Sequence, residues 1–307
     1  MKFMPRFKKV TIARMQKLSQ RQLLTLVAVT LMWGMNWPIM KLGTMGMPPL
    51  SFRALSMWLS LPVIMATLMV LKTPWRVPRA QWPELLKITV FNMMVWHGLM
   101  ILAVKSLSSG RAAILGYSMP IFSAVLGSML FGAALSKRAW GGVVAAGVGV
   151  MLLLWHEFIN LSGNPLAVGM ALVSALSWAL GIQLLRRTTL TVPTLNMSFW
   201  MTLLTVVLMT CLATFFEHQD WAMPSPTTWG AIVYNALLIF GCAQILWLWL
   251  ARHLTPVAST LSVMMIPVIG VFSGALWLGE ILHWQDWAAV GLMVLAIASV
   301  LWPSRQA

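Results

Sequence analysis

The chain has 307 residues, of which 60% are hydrophobic and 9% charged, with a mean hydropathy of +0.83 and a formal net charge of +15. So few charges cannot clothe an ordinary solvated surface, which excludes a soluble globular domain and points to the bilayer. The positive balance does not indicate nucleic acid, because the basic residues fall in alternate loops and not on one folded face.

A membrane span needs about 20 predominantly apolar residues. Ten such stretches follow one another, at roughly 22–40, 50–71, 85–103, 111–132, 139–155, 166–185, 195–215, 229–250, 256–278 and 286–302. With the N-terminus placed in the cytoplasm, 17 Lys and Arg fall on that side, and Lys41, Arg53, Lys105 and Arg111 on the other. This asymmetry predicts that both termini are cytoplasmic. Residues 1–21 read as a basic cytoplasmic segment and 303–307 as a cytoplasmic tail. The first apolar stretch is too long for a cleaved signal peptide and reads as an anchor.

Span 1 carries Trp33, Asn36 and Trp37 at i, i+3, i+4, so the three share one helix face. An amide at mid-membrane depth turns toward protein or water, which leaves two readings: a substrate-facing wall, or an interhelical hydrogen bond among packed indoles. Pro38 removes a backbone donor near the end of this helix. In span 2, Arg53 lies about one turn from the end. An arginine at the helix centre costs roughly 2.5–3.5 kcal/mol on insertion scales, so it is expected to snorkel to the outer headgroups, as are Lys105 and Arg111.

Span 3 places Asn92 and Trp96 on one face, with Met93, His97 and Met100 on another. His97 is the histidine deepest in a span, and two roles stay open for it: proton coupling, or a structural hydrogen bond. Spans 4 and 9 carry Pro120 and Pro267 near mid-depth, where a freed carbonyl permits a bend beside a central site. In span 5, Gly141, Ala145 and Gly149 repeat every four residues, a small-residue face for close helix packing. Span 6 contributes Trp178. Span 8 contributes Tyr234 and Gln244 to one face, with Asn235 and Cys242 beside it.

Trp75, Trp82, Trp140, Trp155, Trp221, Trp229, Trp284, Trp287 and Trp302 fall near span ends and read as interfacial anchors. Cys211 and Cys242 fall inside spans and read as packing residues. No phosphate loop, nucleophile elbow or His/Cys cluster is present, so neither a cofactor nor a metal is expected. No carboxylate lies at mid-membrane depth.

A fixed offset of 147 residues aligns the two halves. Ser51-Phe52 meets Ser198-Phe199, Trp82 meets Trp229, Lys105 meets Arg252, Leu107 meets Leu254, Pro120 meets Pro267 and Gly132 meets Gly279; Trp140 and Trp155 meet Trp287 and Trp302. A duplicated unit with an odd number of spans must enter the bilayer in opposite orientations, the arrangement of many secondary transporters. The expectation is therefore an all-α integral membrane protein with ten transmembrane helices, built as two inverted five-helix repeats over residues 22–155 and 166–302.

The segments LMWGMNWPIMKLG (31–43), PPLSFRALSMW (48–58) and KSLSSGRAAILGYSMPIFSAVLGSMLFG (105–132) resemble the first, second and fourth spans of the EamA-like family of the drug/metabolite transporter superfamily. LSWALGIQLLRR (176–187) and LARHLTPVASTLSVMMIPVIGVFSGALWLGE (250–280) resemble its sixth and ninth. The resemblance implies a carrier whose spans 1, 3, 4, 6, 8 and 9 surround a central cavity, with spans 5 and 10 peripheral. It also implies export of amino acids or related metabolites. The first repeat reads Gly132-Ala133 where the family usually has Gly-Glu, so Glu280 lacks a repeat counterpart and is expected to be structural.

The resulting expectation is an inner-membrane exporter, not an enzyme. It would bind its substrate through Trp33, Asn36, Trp37, Trp96, His97, Tyr117, Trp178, Tyr234 and Gln244, with Pro120 and Pro267 as helix bends. Its partners would be a small-molecule substrate and membrane lipid, with a proton as candidate coupling ion. Efflux of apolar cationic or aromatic drugs is the alternative within transport, since indole faces attract cations. A non-transporting membrane scaffold is the alternative from another class.

Overall fold

The structure is a computed structural model that describes residues 19–132, 137–159, 164–253 and 265–301. The expectations for residues 1–18, for Leu254 and Trp302, and for the C-terminal tail lie outside the described residues.

Among the described residues every regular element is a helix, and no strand occurs. The first half contains α1 (Gln20–Gly46), α2 (Pro49–Val70), α3 (Trp82–Thr89), α4 (Val95–Ser106), α5 (Ser109–Gly116), α6 (Met119–Phe131) and α7 (Lys137–Ile159). The second contains α8 (Pro165–Arg186), α9 (Thr194–Phe216), α10 (Pro226–Tyr234), α11 (Gln244–His253), α12 (Met265–Leu278) and α13 (Trp284–Leu301). Local sequence explains the starts. Ser19 and Gln22 form a reciprocal capping box on α1. Ser108, Asn164 and Ser225 each accept a backbone N–H at the start of α5, α8 and α10.

Seven described segments are long and apolar enough to cross a membrane: Gln20–Gly46, Pro49–Val70, Arg79–Ser106, Ser109–Leu130, Pro165–Arg186, Thr194–Phe216 and Pro226–Leu250. The other three expected spans coincide with α7, α12 and α13 where they are described. Outward-facing side chains fit a lipid solvent. Leu23, Leu24, Val27 and Leu31 form an exposed stripe on α1, and Phe215 and Phe216 stand exposed at the end of α9. The protein is a multi-pass membrane protein.

Two long spans are interrupted without being broken. A π-helical turn, Val90–Met94, joins α3 to α4, and a second, Asn235–Ala243, joins α10 to α11. The two overlap at the 147-residue offset. Ser177 Oγ donates to the Phe91 carbonyl (2.9 Å), so a side chain of α8 satisfies part of the first π turn. The fourth span is divided at Tyr117–Ser118, and Pro120 occupies the first turn of α6 just beyond. Pro267 is the third residue of α12. Pro38, in contrast, leaves α1 helical for eight further residues, to Gly46.

Helix packing brings equivalent elements together. α2 packs on α9, and α7 packs chiefly on α13 at the edge of the bundle. Gly149 lies in this second contact, where an added Cβ would meet Leu292 Cβ at 3.5 Å. Gly132 and Gly279 end α6 and α12 with φ of +66° and +64°, a left-handed helix stop that glycine adopts without strain. The centre of the bundle is formed by α1 against α12, α4 against α8, α12 against α5, and α6 against α8.

Candidate functional site

The central helices enclose a cavity of about 60 Å3, on the scale of a few water molecules. α1 contributes Trp33, Asn36 and Trp37, as their i, i+3, i+4 spacing requires. The segment after the first π turn contributes Trp96 and His97, and the break in the fourth span contributes Tyr117. Trp178 of α8 and Gln244 of α11 complete the set read from sequence.

Indoles dominate one wall. Trp33 lies 5.3 Å from Trp247, which stacks on Trp178 at 6.1 Å, and Trp178 in turn meets Trp96 at 6.2 Å. Trp247 is buried in the run Leu246-Trp247-Leu248, where nothing in the sequence marks it as distinct from its apolar neighbours. On the other side, Trp37 meets the edge of Tyr117 at 6.2 Å. Trp37 fits only because Gly116 and Gly270 carry no side chain: an added Cβ would stand 2.8 Å and 3.1 Å from its ring. Gly116 and Gly270 are thus close-approach glycines.

The polar groups of the cavity are sparse and incompletely paired. Asn36 is buried, and its Oδ1 accepts no hydrogen bond. Gln244 Nε2 reaches only the Met93 sulfur, at 3.6 Å. His97 meets the face of Phe240 edge-on at 5.1 Å. Among the described residues no carboxylate lines the cavity.

Three sequence expectations require correction. Arg53 does not snorkel: it is 1% exposed and lines the cavity. Its Nη1 and Nη2 donate to Asn235 Oδ1 (3.4 Å) and Met40 Sδ (2.9 Å), and its guanidinium lies 5.5 Å from the Phe240 ring centre. The second π turn supplies Asn235 and Phe240, and so draws the arginine inward. Arg111 does not reach for headgroups either, because its Nε donates to Asp286 at 3.1 Å. Tyr234 stands outside the cavity lining and donates its hydroxyl to the Met32 carbonyl (2.8 Å). The π turn between Tyr234 and Gln244 shifts helical phase, so that only Gln244 reaches the cavity.

The loop-end charges have structural roles. Glu280 accepts from Ser109 N (2.6 Å), Ser109 Oγ (2.9 Å) and Gly110 N (3.2 Å), capping α5. Lys41 Nζ donates to the carbonyls of Val104 and Lys105 in the last turn of α4 and of Leu107 just after it. Cys211 and Cys242 are free thiols.

A multi-pass helical bundle around an indole-lined central cavity is the build of a membrane carrier. The profile of the EamA-like transporter family matches residues 20–155 and 165–302, and the chain belongs to that family. It is similar to the uncharacterized inner membrane transporter YedA of Escherichia coli K12, 28% identical over 285 residues covering 91% of this chain and 92% of that one. It is also similar to the uncharacterized transporter YoaV of Bacillus subtilis (23% identical, 84% and 89% covered). A protein described as a probable amino-acid metabolite efflux pump of Salmonella typhimurium is 24% identical, with 88% and 91% covered. A solved crystal structure superposes with a TM-score of 0.67 at 21% identity, covering 94% of this chain and all of the other, which supports the fold.

Proposed function

We propose that the protein is a secondary carrier of the bacterial inner membrane, not an enzyme, that exports an amino acid or a derivative of one by alternating access. The observation that carries this reading is the central cavity itself, where Trp33, Asn36, Trp96 and Trp178 converge from three helices around under-satisfied polar groups. A membrane scaffold has no use for a buried amide with an empty acceptor, since a packed core selects against such atoms. The name of the Salmonella relative supports amino-acid metabolites as the substrate class.

The scaffold for this cycle is ten spans in two five-helix units of opposite orientation, with both termini in the cytoplasm. The repeat offset and the distribution of Lys and Arg support it. Alternating access requires the bundle to open this central cavity on one side at a time. The π turns and the Tyr117–Ser118 break lie beside the cavity, where helices bend most readily. His97, the imidazole of the cavity, packs on Phe240 and is given a structural role in this reading, with no coupling proton assigned to it.

The test is a tolerance panel of amino acids and derivatives on deletion and overexpression cells. Overexpression raises tolerance to the transported compound and lowers its internal concentration. An unchanged response across the whole panel, with the protein present in the membrane, would overturn the carrier reading.

A further inference from the structure

We propose that Arg53 is the anion-binding group of the central cavity and that it selects substrates bearing one net negative charge, such as an apolar or aromatic monocarboxylate. The proposal rests on the carrier reading and narrows its substrate class.

The argument is one of charge and hydrogen-bond capacity. Arg53 is among the largest fully buried side chains and contributes to the cavity wall. No Asp or Glu among the described residues pairs with it. Its hydrogen-bond partners are neutral: an amide oxygen at 3.4 Å and a thioether sulfur at 2.9 Å. The Nε–H has no partner among the described residues. A guanidinium offers five donors in a planar fork shaped for a carboxylate. Here that fork is desolvated, under-used and open to a cavity.

A charge left unpaired inside a membrane protein is costly, and a fold retains it where a ligand completes the pair. The charge balance of the cavity is one-sided, because among the described residues no lining carboxylate offsets the guanidinium. A cationic substrate would meet the indoles favourably but would bring a second positive charge into the same confined space. A zwitterion can place its carboxylate at Arg53, yet its ammonium finds no acid. A monoanion with an apolar body satisfies both features: the carboxylate takes the fork, and the body lies against Trp33, Trp96 and Trp178. The empty Asn36 Oδ1 is an acceptor for a neutral N–H, as in an acylated amine.

The experiment uses a charge series on one body. N-acetyl-phenylalanine, phenylalanine and phenylalaninamide share a benzyl group and carry net charges of minus one, zero and plus one; the leucine counterparts repeat the series. Binding to the purified full-length protein in detergent is read by intrinsic tryptophan fluorescence, for wild type, Arg53→Lys and Arg53→Gln. The acids are expected to bind at least tenfold more tightly than the amides in wild type. Arg53→Lys keeps most of that preference and Arg53→Gln removes it. Equal or tighter binding of the amides, no binding of either acid, or a folded Arg53→Gln protein with its preference intact would overturn the proposal. Should Arg53→Gln fail to fold, the wild-type series and Arg53→Lys decide the matter. Flux of the same compounds in proteoliposomes separates the two readings: acid binding without flux removes the carrier and leaves Arg53, while flux without charge preference does the reverse.

Discussion

The Glu217 carboxylate accepts two hydrogen bonds from Ser51, one from its backbone N–H and one from its hydroxyl, both at 2.7 Å, and a third from Leu50 N at 3.0 Å. An acid at the end of α9 thus caps the first turn of α2, whose leading residues, Pro48 and Pro49, offer no side-chain cap. Charge-assisted hydrogen bonds to a helix N-terminus are among the stronger single contacts in a protein, at about 1.5–3 kcal/mol each way of removal. Glu217→Ala is expected to lower the detergent melting temperature by roughly 4–8 °C, by the usual conversion for a chain of this size. Glu217→Gln, which keeps an acceptor, should fall between. A melting curve identical to wild type for Glu217→Ala would show that the cap contributes nothing.

Topology is testable at two described loop positions. Reporter fusions after Gln219 are expected to read periplasmic and fusions after Thr189 cytoplasmic, because Lys and Arg concentrate on the side of Thr189. A cytoplasmic signal at Gln219 would break the opposite-orientation arrangement of the two halves.

The cavity wall gives a test that separates transport from stability. Asn36→Ala removes an oxygen that accepts no hydrogen bond among the described residues, so transport should drop several-fold while the melting temperature stays near wild type. Trp33→Ala and Trp178→Ala should also impair transport, with some loss of stability because both rings pack on Trp247. Leu31→Ala, on the exposed stripe of α1, should be silent in both assays. Membrane abundance falling in step with transport at Asn36→Ala would remove the substrate role from this wall.

His97 faces an aromatic ring and has no carboxylate among the cavity residues to exchange a proton with. Gradient-driven uptake into everted vesicles is therefore expected to survive in His97→Gln, with at most a modest change in apparent affinity. Abolished gradient response with retained counterflow exchange would instead make His97 the coupling group.

Much of this site is legible in the sequence because α1 is unbroken through Pro38: the spacing of Trp33, Asn36 and Trp37 survives intact into the cavity. Tyr117 and Trp178 are legible for a related reason, each being an aromatic or polar interruption in an otherwise plain apolar stretch. Arg53 is not legible. One turn from a span end, an arginine has an obvious route to the headgroups, and the residues that hold it inward, Asn235 and Phe240, are some 180 positions away in the chain. Trp247 is hidden by its apolar neighbours. A helical wheel of constant pitch places Tyr234 with Gln244, and the intervening π turn breaks that pitch.

Those π turns have an evolutionary consequence as well. Each holds a residue beyond α-helical spacing, so a single deletion within Val90–Met94 could be absorbed by tightening the turn to ordinary helix, leaving span length nearly unchanged. One π turn and one α turn both close about 360°, so everything downstream keeps its facing, and Trp96 and His97 stay on the wall. Single-residue insertions and deletions that would rotate the rest of an ordinary transmembrane helix are thereby contained within one turn. Homologues shorter by one residue at either π turn should keep the same wall and carry the same compounds.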